Sequence, residues 1–296
     1  MKNKEGKSME IQYKIFVRGG GDLATGTIYS LWRSGFQVLA LETAHPAAIR
    51  RQVSISEAVY QKETCVEGMR AVRIASYEET KAVWAQGAVP LLVDPAADCV
   101  KTQKPDVLVD AILAKKNLGT DRTMAPLTIA LGPGFTAGVE VDYVVETKRG
   151  HNLGRIITEG TAVPNTGIPG MIGGYAKERV IHAAGEGILR NVAAIGDVVE
   201  KNQVIAVIEK ENADSKKEQI PVTATIPGIV RGLIRDGYPV TKGFKIADID
   251  PRKEELKNCF TISDKARCIG GSVLSLVCQD YMGNCLISGY YRKENL

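Results

Sequence analysis

The feature that most constrains this chain is a glycine turn set between a short apolar run and an amphipathic one. Lys14 to Val17 leads straight into Gly19, Gly20, Gly21, Asp22, Leu23, Ala24, Thr25 and Gly26, and apolar residues then return at helical spacing through Ile28, Leu31 and Trp32. A second apolar run, Phe36 to Leu41, ends in Glu42. Strand, turn, helix and strand within Lys14 to Glu42 match a minimal βαβ element, and that order predicts a parallel sheet.

Gly19-x-Gly21-x-x-Ala24 fits the dinucleotide fingerprint, in which glycines permit a tight turn and let backbone amides approach a pyrophosphate at a helix N-terminus. Glu42 lies 21 residues after Gly21, where an acid would accept hydrogen bonds from a ribose. The competing reading is that these glycines serve only close packing of helix on sheet, with Glu42 a solvated strand end.

Met69 to Ile74 alternates like a strand, and Ser76 with Glu79 forms a capping box for a helix running to about Gln86. Val89 to Val93, Val107 to Leu113 and Leu127 to Leu131 are apolar throughout, as expected of strands covered on both faces. Glu42, Asp94 and Asp110 thus fall near the ends of successive strands, where open α/β sheets bind their ligands. Arg50 and Arg51 could clamp a phosphate bidentately, and Lys115 with Lys116 could act as point charges, although each pair also fits a solvated basic face.

From Gly132 the texture changes to Gly132-Pro133-Gly134-Phe135, Arg149-Gly150-His151 and a Gly/Pro-rich loop from Pro164 to Gly170, which long helices cannot accommodate. Loops of this kind often carry binding sites. The candidate ligand-contacting residues are therefore Gly19, Gly20, Gly21, Asp22, Ala24, Glu42, Arg50, Arg51, Asp110, Lys115, Gly132 and Gly134. No catalytic residue is assigned. Cys259, Cys268, Cys278 and Cys285 form no Cys-x-x-Cys pair and His151 has no ligand partner at metal spacing, so ordinary buried thiols and no metal site are expected.

An internal repeat follows. Gly196, Val199, Ile205 and Ile208 recur 41 positions later as Gly237, Val240, Ile246 and Ile249. Two copies of a small β unit resemble the barrel-sandwich hybrid of biotinyl and lipoyl domains. Carriers of that class commonly present Met-Lys-Met in a tight hairpin, whereas Glu209-Lys210-Glu211-Asn212 stands here, with Lys216 and Lys217 in a longer polar loop. A scaffold or docking surface is expected rather than covalent carriage.

The fold class expected is α/β, a Rossmann-like parallel sheet followed by a β-rich region containing the barrel-sandwich-hybrid module. The divisions are a leader at 1–10, the Rossmann-like domain at 11–135, a Gly/Pro-rich β connection at 136–185, the β module at 186–250 and a C-terminal segment at 251–296 that packs back through Val273 to Val277. Thirty-eight Lys and Arg against 34 Asp and Glu leave +4 over 296 residues, which argues against a nucleic-acid or anionic-membrane partner. No run approaches the roughly 18 apolar residues of a membrane span, and a soluble cytoplasmic protein, compatible with a homodimer, is expected.

GGGDLATG from Gly19, ETAHPAAIRRQVSISEAVY from Glu42, GPGFTAG from Gly132, ETKRGHNLGRI from Glu146, PNTGIPG from Pro164 and DKARCIGGSVL from Asp264 together resemble the YqeB family of selenium-dependent molybdenum hydroxylase system proteins. The resemblance implies an accessory role in maturing such hydroxylases, with a molybdenum hydroxylase client as partner. The first half is also distantly similar to the Rossmann domain of factors that sulfurate and insert molybdenum cofactor, which implies a nucleotide or molybdopterin ligand at Gly19 to Ala24. One alternative is a nicotinamide-dependent oxidoreductase, motivated by the fingerprint and Glu42; it lacks a Tyr-x-x-x-Lys dyad, since Tyr175 is followed four residues on by Arg179. The other is a structural or sensor module without small-molecule chemistry.

Overall fold

Alternation of faces along each strand decides where the apolar residues go. In the computed structural model, which describes residues 13–164, 167, 170–211 and 217–287, the glycine turn joins strand β1 (Lys14–Arg18) to helix α1 (Asp22–Arg33), which returns to β2 (Gln37–Glu42). Ile15 and Val17 of β1 and Val38 and Ala40 of β2 face one core, while Phe16, Leu39 and Leu41 face another on the opposite side. Both faces of these strands are covered, which is why the runs are apolar without interruption.

The chain continues through α2 (Ala58–Gln61), β3 (Glu63–Val66), β4 (Met69–Ile74), α3 (Thr80–Ala85), β5 (Val89–Val93), α4 (Asp98–Gln103), β6 (Val107–Asp110), β7 (Leu127–Leu131), β8 (Thr136–Ala137), β9 (Tyr143–Val145), β10 (Ile156–Ile157) and β11 (Gly160–Thr161). The Ser76 and Glu79 capping box forms, leading through a short 3-10 turn into α3. One sheet takes the order β10-β9-β7-β6-β1-β2-β5-β4-β3. The pairs from β9 through β4 are parallel, but β3 runs antiparallel to β4 and β10 antiparallel to β9. The parallel Rossmann-like expectation is therefore corrected to a nine-stranded mixed sheet. Its added edge comes from the hairpin at Glu67 and Gly68, whose φ values of 49° and 83° suit a primed two-residue turn.

The second half contains β12 (Val180–His182), β13 (Gly187–Asn191), β14 (Val198–Val199), β15 (Val204–Glu211), β16 (Lys217–Thr223), β17 (Gly228–Leu233), β18 (Pro239–Val240) and β19 (Lys245–Asp250). These form two four-stranded antiparallel sheets, β12-β19-β17-β14 and β16-β15-β13-β18, around a shared core that includes Leu189, Ile205, Ile229 and Ile249. The expected biotinyl/lipoyl-type barrel-sandwich hybrid is corrected to this pair of sheets. The 41-residue repeat locates strand starts but cannot say which strand pairs with which: β14 joins β17, whereas its counterpart β18 joins β13. Lys216 and the leader at 1–10 lie outside the described residues, as does the side chain of Lys217.

The antiparallel module is held to the large sheet by the segment between β2 and α2. Leu233 N donates to Ile49 O at 2.9 Å and Arg51 Nε to Leu233 O at 2.7 Å. Gly232 permits this approach, since a Cβ there would stand 2.7 Å from Ile49 Cγ2. Arg235 reaches the buried Glu57 carboxylate at 2.7 Å, with Arg51 at 3.6 Å. The last helix, α5 (Asp264–Ile287), lies on α1 through small residues: a Cβ on Gly26 would come within 2.6 Å of Ala266 Cβ. That contact aims the first turn of α5 at the glycine turn.

Candidate functional site

The N-terminus of α1, the N-terminus of α5 and strands β17 and β19 converge on one cleft of about 360 Å³. Gly21, Asp22 and Leu23 line it from the glycine turn, Ser263 and Lys265 from α5, and Arg231, Lys245 and Asp248 from the antiparallel module. Arg50, Arg149 and Arg179 complete its polar wall. Six cationic side chains thus meet Asp22 and Asp248, with Asp264 at the rim.

Their partners do not exhaust them. Arg149 forms a two-pronged pair with Asp264 at 2.7 and 2.8 Å, which holds that carboxyl down at about 2. Arg179 is bound to Asp248 at 3.0 Å and Arg231 to the same carboxylate at 3.3 Å. Arg50 donates to Asn258 O at 2.7 Å and stands 3.8 Å from Asp22. Nε of Arg50 and Nε of Arg231 are buried with no hydrogen-bond partner among the described residues. Burial, and after it the neighbouring Arg231, draw Arg50 below the ordinary arginine value, and burial does the same to Lys265. Buried donors left unpaired are costly, so a site built this way favours an incoming acceptor with negative charge.

Two helix N-termini add to that field. α1 begins at Gly21 with no side-chain cap, leaving its first-turn N–H groups without that acceptor, and a helix N-terminus carries about half a positive charge. The three glycines of the turn differ in kind. Gly19 has φ of +105° and a Cβ on it would stand 2.8 Å from Ala111 O, while one on Gly20 would stand 3.0 Å from Ser56 N. A Cβ on Gly21 would meet nothing within 4 Å, and its φ of −66° suits any residue. Packing accounts for the first two glycines and not for the third.

Of the residues read from sequence, Gly21, Asp22 and Arg50 line this cleft. Gly19 and Glu42 line a neighbouring slot of about 550 Å³ at the carboxyl ends of β1 and β2, shared through Gly21 and Asp22, where burial raises the Glu42 carboxyl. Lys115 lines a wider opening of about 1100 Å³ that shares Arg149 and Lys265 with the cleft. The structure places the others elsewhere. Ala24 is in the core, and Gly20 O accepts from Ser56 N. Arg51 joins the two parts of the molecule as described. Asp110 is buried at the carboxyl end of β6, accepting from Thr120 Oγ1 at 2.6 Å with Arg18 at 3.7 Å. Gly132 packs beside Thr147, and Gly134 against the backbone of Lys116.

Arg179, Arg231, Lys245, Asp248 and Lys265 were not anticipated as site residues. A signal was present in two of them: Arg231 interrupts GIVRGL and Asp248 interrupts KIADID, charges placed inside strands that are otherwise buried. Among the described residues no group of three or more His, Cys, Asp or Glu side chains is placed to hold a metal ion, and no helix is long and apolar enough to cross a membrane.

No family model matches the chain. By shape it is similar to solved structures of the product-bound ectoine utilization protein EutE (DoeB) from Ruegeria pomeroyi, at 12% identity, 80% of this chain, 84% of that chain and a TM-score of 0.26. It is likewise similar to an aspartoacylase family protein from Mesorhizobium loti, at 13% identity, 80% and 84% coverage and a TM-score of 0.28. A succinylglutamate desuccinylase/aspartoacylase from Rhodobacter sphaeroides matches at 15%, 80% and 85%, with a TM-score of 0.27. None of them is described as a molybdenum hydroxylase accessory factor, and the expected maturation role, with its selenium and molybdenum handling, is set aside. At such TM-scores the likenesses carry no argument about the chemistry of this chain. By sequence the chain is 46% identical over 260 residues to the Escherichia coli (strain K12) protein described as "Uncharacterized protein YqeB" and spans about half of that relative, 46% of its length. This likeness runs over 88% of the chain and supports the YqeB family for it.

Proposed function

We propose that the chain binds a small, multiply charged anion, of phosphate or carboxylate type, in the cleft between the glycine turn, the start of α5 and the antiparallel module. The observation that carries this reading is the surplus of buried cationic donors: Nε of Arg50 and of Arg231 have no acceptor among the described residues, and Lys265 joins them on the same wall. Structural ion pairs would be expected to consume their donors. The open space at Gly21 supports it further, because a ligand at that helix N-terminus would occupy the volume a side chain would take.

The chemistry available is recognition by charge-assisted hydrogen bonds. Arginines present fixed forks that match two oxygens at once, and helix amides add donors that need no reorganisation. The cleft lies where two parts of the molecule meet, a usual place for ligand sites.

The test is calorimetric titration with pyrophosphate, using the wild-type protein and Gly21→Leu. Saturable binding is expected for the wild type, with affinity reduced by about tenfold or more in the variant, the equivalent of one lost charge-assisted hydrogen bond. Gly21→Leu should keep a cooperative melt, lowered by no more than the loss of a glycine N-cap, since a Cβ at this position meets nothing within 4 Å. Absence of saturable binding by the wild type would overturn the reading, as would a variant that binds equally well.

A further inference from the structure

Lys265 is set apart from the other cations of the cleft. It stands in the first turn of α5, is half-buried, and lines both the 360 Å³ cleft and the 1100 Å³ opening beside it. Arg149, Arg179 and Arg231 each hold a carboxylate, whereas among the described residues Lys265 forms no ion pair within 4.0 Å and no hydrogen bond through its amine. The charged groups acting on it are Asp22 from α1, Glu146 and Arg149 from the segment after β9, and Asp264 on its own helix; Arg50 and Lys245 share its cavity wall. Burial is the largest influence on its amine; Asp22, Glu146 and Asp264 favour the ammonium form and Arg149 opposes it. The net effect lowers the Lys265 amine from its ordinary value. An amine with no ion-pair partner that lines two joined cavities is placed to act as a nucleophile, and burial favours that role.

Resting on the anion-binding reading, we propose that Lys265 forms an imine with an aldehyde or ketone that carries a phosphate or carboxylate group. The anionic group is held by Arg50 and Arg231, and the carbonyl is presented to the amine at the mouth shared with the wider opening. The neutral Nζ adds its lone pair to the carbonyl carbon, the C=O π pair moves to oxygen, and proton transfer from nitrogen to oxygen gives a carbinolamine. Loss of the hydroxyl with the second amine proton forms the C=N bond and releases one water. Nothing is oxidised or reduced, and hydrolysis reverses the step.

The experiment uses pyridoxal 5′-phosphate as probe, trapping with sodium cyanoborohydride and peptide mass mapping on the full chain. Lys265 should be labelled about tenfold or more faster than exposed lysines such as Lys81 and Lys257, the same factor by which the bound anion raises the local concentration of the probe over the amine. Excess inorganic phosphate should suppress that labelling, pyridoxal without its phosphate should label Lys265 more slowly, and Lys265→Arg should lose the adduct while retaining a cooperative melt. If inorganic phosphate binds by calorimetry yet Lys265 is labelled no faster than the exposed lysines, the imine proposal is overturned and the anion cleft stands. If neither occurs, both readings fall. Selective labelling that phosphate does not suppress overturns the anionic half of the substrate class.

Discussion

Gly270 and Gly271 are neighbours in α5, and the same change, glycine to alanine, should move stability in opposite directions at the two positions. Both substitutions gain about 1 kcal/mol of helix propensity. A Cβ at 271 meets nothing within 4 Å, so Gly271→Ala keeps that gain. A Cβ at 270 would stand 2.5 Å from Ser30 Oγ, 2.6 Å from Gly26 O and 3.1 Å from Gly26 C on α1. Carbon-to-oxygen approaches ordinarily stop near 3.3 Å, so the shortfall is about 0.7 Å against a helix backbone that cannot rotate away. Overpacking of this kind costs about 1–3 kcal/mol, which leaves Gly270→Ala about 0–2 kcal/mol less stable than wild type and about 1–3 kcal/mol below its neighbour. Urea unfolding followed by circular dichroism reads the difference as a separation of midpoints at constant slope. Equal upward shifts for both variants would refute the close crossing of α1 and α5 that aims Ser263 and Lys265 into the cleft.

Other consequences follow from the charged contacts. The Asp264 carboxyl lies at about 2 against an ordinary value of 3.8, so its pairing with Arg149 contributes stability that is complete above about pH 4 and lost as pH falls toward 2. Both side chains are exposed, which limits the effect to at most about 1 kcal/mol; the stability gap between wild type and Arg149→Met should close over that interval, and a gap constant from pH 5 to pH 2 would contradict the assignment. Arg235→Met removes the 2.7 Å partner of the buried Glu57 and leaves Arg51 at 3.6 Å. A loss of about 1–3 kcal/mol in denaturant unfolding is expected, and a neutral result would mean the two parts of the molecule are not clamped there. Asp110→Leu should cost about 3–5 kcal/mol by leaving the buried Arg18 without its charge partner, measurable as a lowered melting point.

Much of the first half was legible because its physics is local. The glycine turn, the apolar runs of β1, β2, β5, β6 and β7, and the Ser76 capping box each follow from spacing within a few residues. The antiparallel edges were not legible. β3 is four residues long with the burial pattern exposed, half-buried, exposed, buried, too weak a periodicity to separate from a loop, and period 2 does not distinguish parallel from antiparallel partners. The module failed for a related reason: its repeat was visible, but pairing is decided by contacts between β13 and β18, about fifty residues apart, that no local window contains. In the site, Gly21, Asp22 and Arg50 were found because they sit on or near the turn. Arg179, Arg231 and Lys265 were missed because they reach the cleft from elements far along the chain, and because a lone charge in a strand or helix start has no spacing signature.

The most direct measurement is a crystal structure of the protein grown with pyrophosphate. Density for the anion is expected between the N-terminus of α1 at Gly21 and the guanidinium groups of Arg50 and Arg231, with oxygens at about 2.7–3.2 Å from the first-turn amides and the arginine nitrogens that face the cleft. An empty cleft at saturating pyrophosphate, or an anion seated on exposed surface lysines instead, would contradict it.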